Sequence, residues 1–280
     1  MAVVDSSSGT RVAELLATSR FEVIPLDGVE EQVLAHVPVD VTVTITASPT
    51  KGLEPTFALA ARLAAHGYEV VPHLSARLVR DERELGEIVA RLRELDLDDL
   101  FVVAGDASEP EGEFAGAAEL LDALEALGRP FSRLGITGYP ESHPLIDDET
   151  TIASMFAKAR HATYIVSQVC FDPAVTALWI DDVWTRGTRL PVYVGIPGVV
   201  GRAKLLRVST RIGIGDSLRF LRKNGGFAGR LLRPGGFDPD ALVDGLGPAL
   251  ASGRVAGFHV FTFNDLQETE DWRRARLEVV

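Results

Sequence analysis

The sequence predicts an α/β chain folded as a single (βα)8 TIM barrel. Eight short strand-like runs alternate with helical patterns along the 280 residues, and eight βα units in one domain of about 250 residues is the arithmetic of a closed parallel barrel. The helical patterns between the runs are long enough to cross back and restart a parallel strand. An open doubly wound sheet would want G-x-G-x-x-G directly after a strand, and no such string occurs. Gly195-x-x-Gly198-x-x-Gly201 has the wrong spacing.

Period and punctuation place the strands in order at Phe21–Pro25, Val41–Thr46, Glu69–His73, Leu100–Ala104, Arg133–Thr137, Thr163–Gln168, Pro191–Ile196 and Gly257–Phe263. Amphipathic stretches between them cover Glu54–His66, Asp81–Leu95, Phe114–Leu127, Asp148–His161 and Pro173–Thr185. Asp81 and Asp148 read as helix caps, and Pro173 suits a first helical turn. Residues 1–19 form a short N-terminal extension. The stretch from Lys204 to Asp238 exceeds one crossover, carries two helical patterns and breaks at Gly225-Gly226, so a helical insertion is expected around 204–238. No shift in composition marks a second domain, and residues 1–280 are expected to form one.

Bulk composition excludes several classes of function. With 46% hydrophobic and 24% charged residues the chain is of globular type, neither disordered nor fibrous. A formal net charge of -12 repels phosphate backbones and anionic membranes, which argues against nucleic acid as a partner. Only Lys51, Lys158, Lys204 and Lys223 are lysines among the 28 cations. One cysteine, Cys170, allows no disulfide framework and no thiolate metal cage, so a reducing cytoplasm is the expected home. No run approaches the roughly 18 apolar residues of a membrane helix, and Met1–Thr10 lacks the charged and apolar regions of a leader.

In a barrel of this kind the active site is built at the carboxyl ends of the strands. Those ends are polar here: Glu22, Thr44 and Thr46, His73, Gly105-Asp106, Tyr139 with His143, Gln168, and Asn264. Turn chemistry alone would supply Gly105-Asp106 and Asn264, so the argument rests on convergence. Glu22 is the most informative member, a lone carboxylate in Phe21-Glu22-Val23-Ile24. Facing the interior, it would have a raised pKa and could donate a proton near neutral pH.

Other chemistries have little support. The six histidines, at 36, 66, 73, 143, 161 and 259, include no H-x-x-x-H or H-x-H pair, so no metal site is expected. No G-x-S-x-G elbow flanks a serine, no Walker loop occurs, and Cys170 lies in an apolar run suited to an inert thiol. What remains is a cavity suited to hydrogen-bonding a planar heterocycle and to proton transfer.

Six segments occur in order: Phe21-Glu22-Val23-Ile24-Pro25, Pro72-His73-Leu74-Ser75, Ala104-Gly105-Asp106, Gly138-Tyr139-Pro140-Glu141-x-His143-Pro144, Ser167-Gln168-x-x-Phe171-Asp172 and Phe258-His259-x-Phe261-Thr262-x-Asn264. Together they resemble the methylenetetrahydrofolate reductase family over residues 20 to 265. The resemblance implies a (βα)8 barrel that reduces 5,10-methylenetetrahydrofolate to 5-methyltetrahydrofolate. It implies that Glu22 is the general acid, that Asp106 faces pterin and flavin, and that Gln168 hydrogen-bonds the pterin. Thr44, His73, Tyr139 and His143 match positions that line the flavin. An amine nitrogen must be protonated before the bridging carbon becomes electrophilic, and the cation so formed gains from a fixed negative charge such as Asp106.

Departures from the family pattern concern the cofactor. Ala104 stands where an arginine usually precedes the Gly-Asp pair, and Asp265 where an arginine usually follows the asparagine. The helix Thr151–Lys158 keeps only Lys158 of the usual flavin and phosphate contacts. Charge-assisted pairs are the strong ones, so FAD binding is expected to be weak. The expectation is therefore direct hydride transfer from NADH to the reduced folate, with Tyr139 and His143 lining the nicotinamide. FAD-dependent turnover, a deazaflavin donor with a related pterin, and a non-catalytic folate binder are the alternatives. The partners expected are the folate and a nicotinamide nucleotide, for a monomer or small homo-oligomer.

Overall fold

Residues along each strand alternate between two environments, and this alternation builds the molecule. In a computed structural model, which describes residues 6–143, 146–201 and 239–278, Phe21 and Val23 are fully buried among the surrounding helices. Arg20, between Ser19 and Phe21, turns instead to the barrel interior, against the rings of Tyr164 and Tyr193. The strands are β1 (Arg20–Val23), β2 (Thr42–Ile45), β3 (Val70–Ser75), β4 (Asp99–Val103), β5 (Arg133–Gly138), β6 (Tyr164–Ser167), β7 (Val192–Pro197) and β8 (Val255–Phe261). Every neighbouring pair is parallel, and β8 returns to β1 to close the barrel in sequence order.

The helices are α1 (Ser6–Ala17), α2 (Val29–His36), α3 (Glu54–Ala65), α4 (Glu82–Glu94), α5 (Ala117–Ala126), α6 (Asp148–Ala159), α7 (Pro173–Thr185), α8 (Asp240–Gly245), α9 (Gly247–Ala251) and α10 (Leu266–Glu278). Asp81 caps α4 by accepting from the Glu84 N–H, as its sequence predicts. For α6 the cap is Asp147, whose side chain accepts from Thr150, while Asp148 is already helical. That corrects the expected cap by one residue: of two adjacent aspartates, only the first has the extended backbone that a cap requires. Helices α1, α2, α8, α9 and α10 lie where no helix was placed from sequence. Helix α1 is tied to the barrel by Arg11, which donates to the Leu250 and Val255 carbonyls, and by Arg273, which donates to those of Leu16 and Ala17. The insertion expected around 204–238 lies outside the described residues.

One end of the barrel is closed by a buried polar plug. Asp99 accepts from Arg20 at 3.1 Å and from the Tyr164 hydroxyl at 2.6 Å, and pairs with Arg133 at 3.1 Å. The Arg20 guanidinium lies 4.5 and 4.1 Å from the ring centroids of Tyr164 and Tyr193. Above it Val71, Phe101, Tyr164 and Val166 fill the interior. Gly135 makes room for this layer, since a Cβ there would lie 2.3 Å from the Tyr164 ring. With the amino-terminal end sealed, polar chemistry is left to the carboxyl ends of the strands.

Candidate active site

Glu22 lies one inward position above Arg20 on β1, opposite Thr44 of β2. Its backbone is held from the other side, where the Thr262 hydroxyl donates to the Glu22 carbonyl at 2.6 Å. The next turn is pinned by Asn264, whose amide accepts from Ile24 N–H at 2.8 Å and donates to Ile24 C=O at 2.9 Å. Asn264 thus serves as a strand partner for β1, which requires its left-handed φ of 58°.

Two imidazoles approach the Glu22 carboxyl. His259 of β8 places Nε2 3.0 Å from Oε2, and His73 of β3 places Nε2 3.8 Å from the same oxygen. Both histidines are buried, and the Glu22 side chain is 13% exposed. Burial raises the Glu22 pKa from 4.5 to about 7, opposed by His73. Burial lowers His73 to about 4 and His259 to about 3, Arg20 adding to the effect on His259. The cluster is therefore a carboxyl poised near neutrality between two uncharged imidazoles. Thr44 Oγ1, His73 Nε2 and His259 Nδ1 are buried and have no hydrogen-bond partner among the described residues, so hydrogen-bonding capacity is left over around this carboxyl. The three ligand-type atoms of Glu22, His73 and His259 lie within 4.8 Å of one another. Spacing in the sequence offers no hint of this grouping, because its members come from the first, third and last strands.

A second group forms across the ends of β4 and β5. The Tyr139 and His143 rings pack edge to face with centroids 5.0 Å apart. Burial raises the Tyr139 pKa and lowers that of His143, and the charge of Asp106 acts on both. Asp106 itself is exposed and follows Gly105, whose φ is 91°. A Cβ at Gly105 would fall 1.9 Å from the Ser75 Oγ, so the turn that presents Asp106 demands glycine. Lys158 reaches over from α6 to donate to the Thr137 hydroxyl at 3.2 Å, and Thr137 hydrogen-bonds Tyr139. Burial lowers Lys158 to about 8.

Gln168 follows β6 and is exposed, its Oε1 accepting from the adjacent Val169 N–H at 2.9 Å. The loop behind it is organised by Glu141, a member of the Gly138–Pro144 segment with no role expected from its sequence. Glu141 Oε1 accepts from the Phe171 and Asp172 N–H groups at 2.5 and 2.6 Å. Cys170 is buried beside Ser167 with its thiol pushed up to about 12 by burial, which makes it inert.

The structure brings Glu22, Thr44 and His73 together, and separately gathers Asp106, Tyr139 and His143. His259, which the sequence shows only as part of the Phe258–Asn264 segment, joins the first group, and Lys158, expected as a flavin or phosphate contact, joins the second through Thr137. The place of His259 could have been found by asking which polar residues fall on inward positions of β8. Among the described residues, no helix is long and apolar enough to cross a membrane.

A family model described as methylenetetrahydrofolate reductase matches residues 27–215, about two thirds of the chain. That stretch contains Thr44, His73, Asp106, Tyr139, His143 and Gln168, and excludes Glu22 and His259. Among solved structures, a family 18 chitinase from Crocus vernus is similar at 10% identity and a TM-score of 0.50, covering 92% of this chain and 98% of its own. The C-terminal domain of a provisionally assigned chitinase from Desulfitobacterium hafniense DCB-2 has 13% identity and a TM-score of 0.48, covering 93% and 99%. At 10% identity the likeness to the Crocus vernus structure speaks to the barrel and not to its chemistry.

Proposed function

The chain belongs to the methylenetetrahydrofolate reductase family, and from that premise we propose that it reduces 5,10-methylenetetrahydrofolate to 5-methyltetrahydrofolate with hydride taken directly from NADH. The observation that supports this reading most is Glu22: a carboxyl held near pH 7 by burial, at the carboxyl end of a barrel strand, beside unpartnered polar atoms. An acid with a pKa near the working pH both holds its proton and releases it readily. Glu22 protonates the amine nitrogen of the substrate's five-membered ring, so that the bridging carbon becomes electrophilic. Asp106 offers a negative charge to the cation so formed, and Gln168, freed from its contact with Val169, hydrogen-bonds the pterin. Thr44, His73, Tyr139 and His143 line the cofactor, with Tyr139 and His143 flanking the nicotinamide. NADH supplies the hydride that completes the reduction.

A tightly held FAD does not fit the residues described. Its pyrophosphate would need fixed cations. Ala104 supplies none. Just after α6, Arg160 pairs with Asp122, and Arg77 is taken up by the carbonyls of Ala107 and Ala115. Lys158 remains as a single buried ammonium. In this reading Glu22 keeps its proton, which burial favours and which a metal ligand would have to give up.

The test is the absorption spectrum of the purified protein, followed by NADH oxidation with chelator present. We expect a colourless protein that oxidises NADH only when methylenetetrahydrofolate is added. A yellow protein with bound flavin, or turnover abolished by the chelator, overturns the reading.

A further inference from the structure

The reductase reading gives no role to His259, yet this is the side chain closest to the Glu22 carboxyl. Its Nε2 lies 3.0 Å from Oε2, it is 1% exposed, and its other nitrogen, Nδ1, has no partner among the described residues. A neutral imidazole carries one N–H and one lone pair, and the two ways of placing that proton are not equivalent here. With the proton on Nδ1, a buried N–H would be orphaned, which proteins rarely tolerate. With the proton on Nε2, the N–H points at Oε2 and only a lone pair is left unused. The half-buried ring of Phe261, whose centroid lies 4.9 Å from that of His259, packs edge-on against the imidazole.

We propose that His259 is a positioning residue for Glu22: a neutral imidazole in the Nε2–H tautomer that donates to Oε2, leaving Oε1 as the oxygen that delivers the proton. Among the described residues no hydrogen bond engages Oε1. The inference rests on the reading of Glu22 as the acid. When Glu22 gives up its proton, the O–H bond breaks, the proton passes to the substrate nitrogen, and the negative charge left on the carboxylate is met by an N–H already in place. That hydrogen bond is stronger to the anion than to the neutral acid, so it offsets part of the cost of burial.

Every strand around the carboxyl contributes to its environment. His73 of β3 faces it at 3.8 Å without a hydrogen bond, and Thr44 of β2 is uncharged. Phe101 of β4 packs on His73 at 4.7 Å between centroids. Arg20, below on β1, keeps its charge on Asp99 and discourages a second positive charge on His259. Nothing else among the described residues places an N–H on the carboxyl.

Three measurements decide the matter. In the wild-type protein, 15N spectra of labelled histidine should show His259 neutral with its proton on Nε2 at pH 7; a proton on Nδ1 overturns the proposal. The Glu22 titration can be read without substrate, as the pH dependence of the difference in urea midpoint between proteins carrying Glu22 and Glu22→Gln. In a His259→Leu background that midpoint should move up by about one to two pH units, the worth of a hydrogen bond to a charged group. His259→Gln, which keeps an N–H at similar reach, should restore it. An unmoved titration in His259→Leu, or no restoration by glutamine, overturns the proposal. In turnover, the alkaline limb of the rate profile should shift with the titration in His259→Leu. If Glu22→Gln keeps full turnover while the titration still follows residue 259, the reductase role of Glu22 fails and the pairing stands.

Discussion

Replacing Glu22 by glutamine should make the protein more stable and far less active, and the two effects have one cause. Burial raises the carboxyl from 4.5 to about 7, so the folded chain holds this proton more tightly than the unfolded chain does. Between those values the native state binds more protons than the unfolded state, and stability therefore falls as pH rises. Above about pH 7 the full cost of a buried carboxylate is in place, about 3 kcal/mol for a shift of this size. The 13% exposure of the side chain trims it toward about 2 kcal/mol. Glutamine has nearly the same shape, cannot ionise, and can still accept from His259. At pH 4 the two proteins should be equally stable. At pH 8 Glu22→Gln should gain about 2 to 3 kcal/mol, or roughly 5 °C in Tm for a chain of this length. Turnover should fall by about 10² to 10⁴, the usual worth of a positioned general acid. The assay is a pair of urea titrations at pH 4, 6 and 8 beside a rate measurement. A stability difference that does not change with pH, or a less stable variant at pH 8, would refute the reasoning.

His73 should impose the opposite trend at low pH: burial lowers it to about 4, so its contribution is complete above about 6.5 and is lost as pH falls toward 4, by up to about 3 kcal/mol. His73→Gln should flatten that decline in the urea midpoint, and an unchanged slope would count against a buried neutral imidazole. Glu141→Ala should release the loop after β6, since two N–H groups lose a carboxylate acceptor, costing about 2 to 4 kcal/mol. Amide hydrogen exchange at Phe171 and Asp172 should accelerate while that of β1 stays slow, and slow exchange at both residues would show the anchor to lie elsewhere.

Much of the architecture was legible because its signals are local. Each of the eight strands overlaps its expected run, and Pro173–Thr185 forms α7 over that full range, since proline at the start of a helix and apolar periodicity act within a few residues. The helices α2 and α10 escaped for the complementary reason. Val29–His36 is short and Leu266–Glu278 is strongly polar, and each is stabilised by docking on the barrel through a few buried residues such as Val33 and Arg273. The cap of α6 moved from Asp148 to Asp147 because adjacent aspartates are chemically alike, and backbone conformation chooses between them.

The sequence by itself determined the barrel, the polar carboxyl ends of its strands, and the suspicion attached to Glu22, because the pattern of polar and apolar residues along a strand is a local signal. Only the tertiary structure decided what that glutamate is. Its acidity comes from burial, and its orientation from a histidine that lies 237 residues away in the chain and reaches it because β8 closes on β1. A pKa is a property of surroundings, and the surroundings of Glu22 exist only once the barrel is closed.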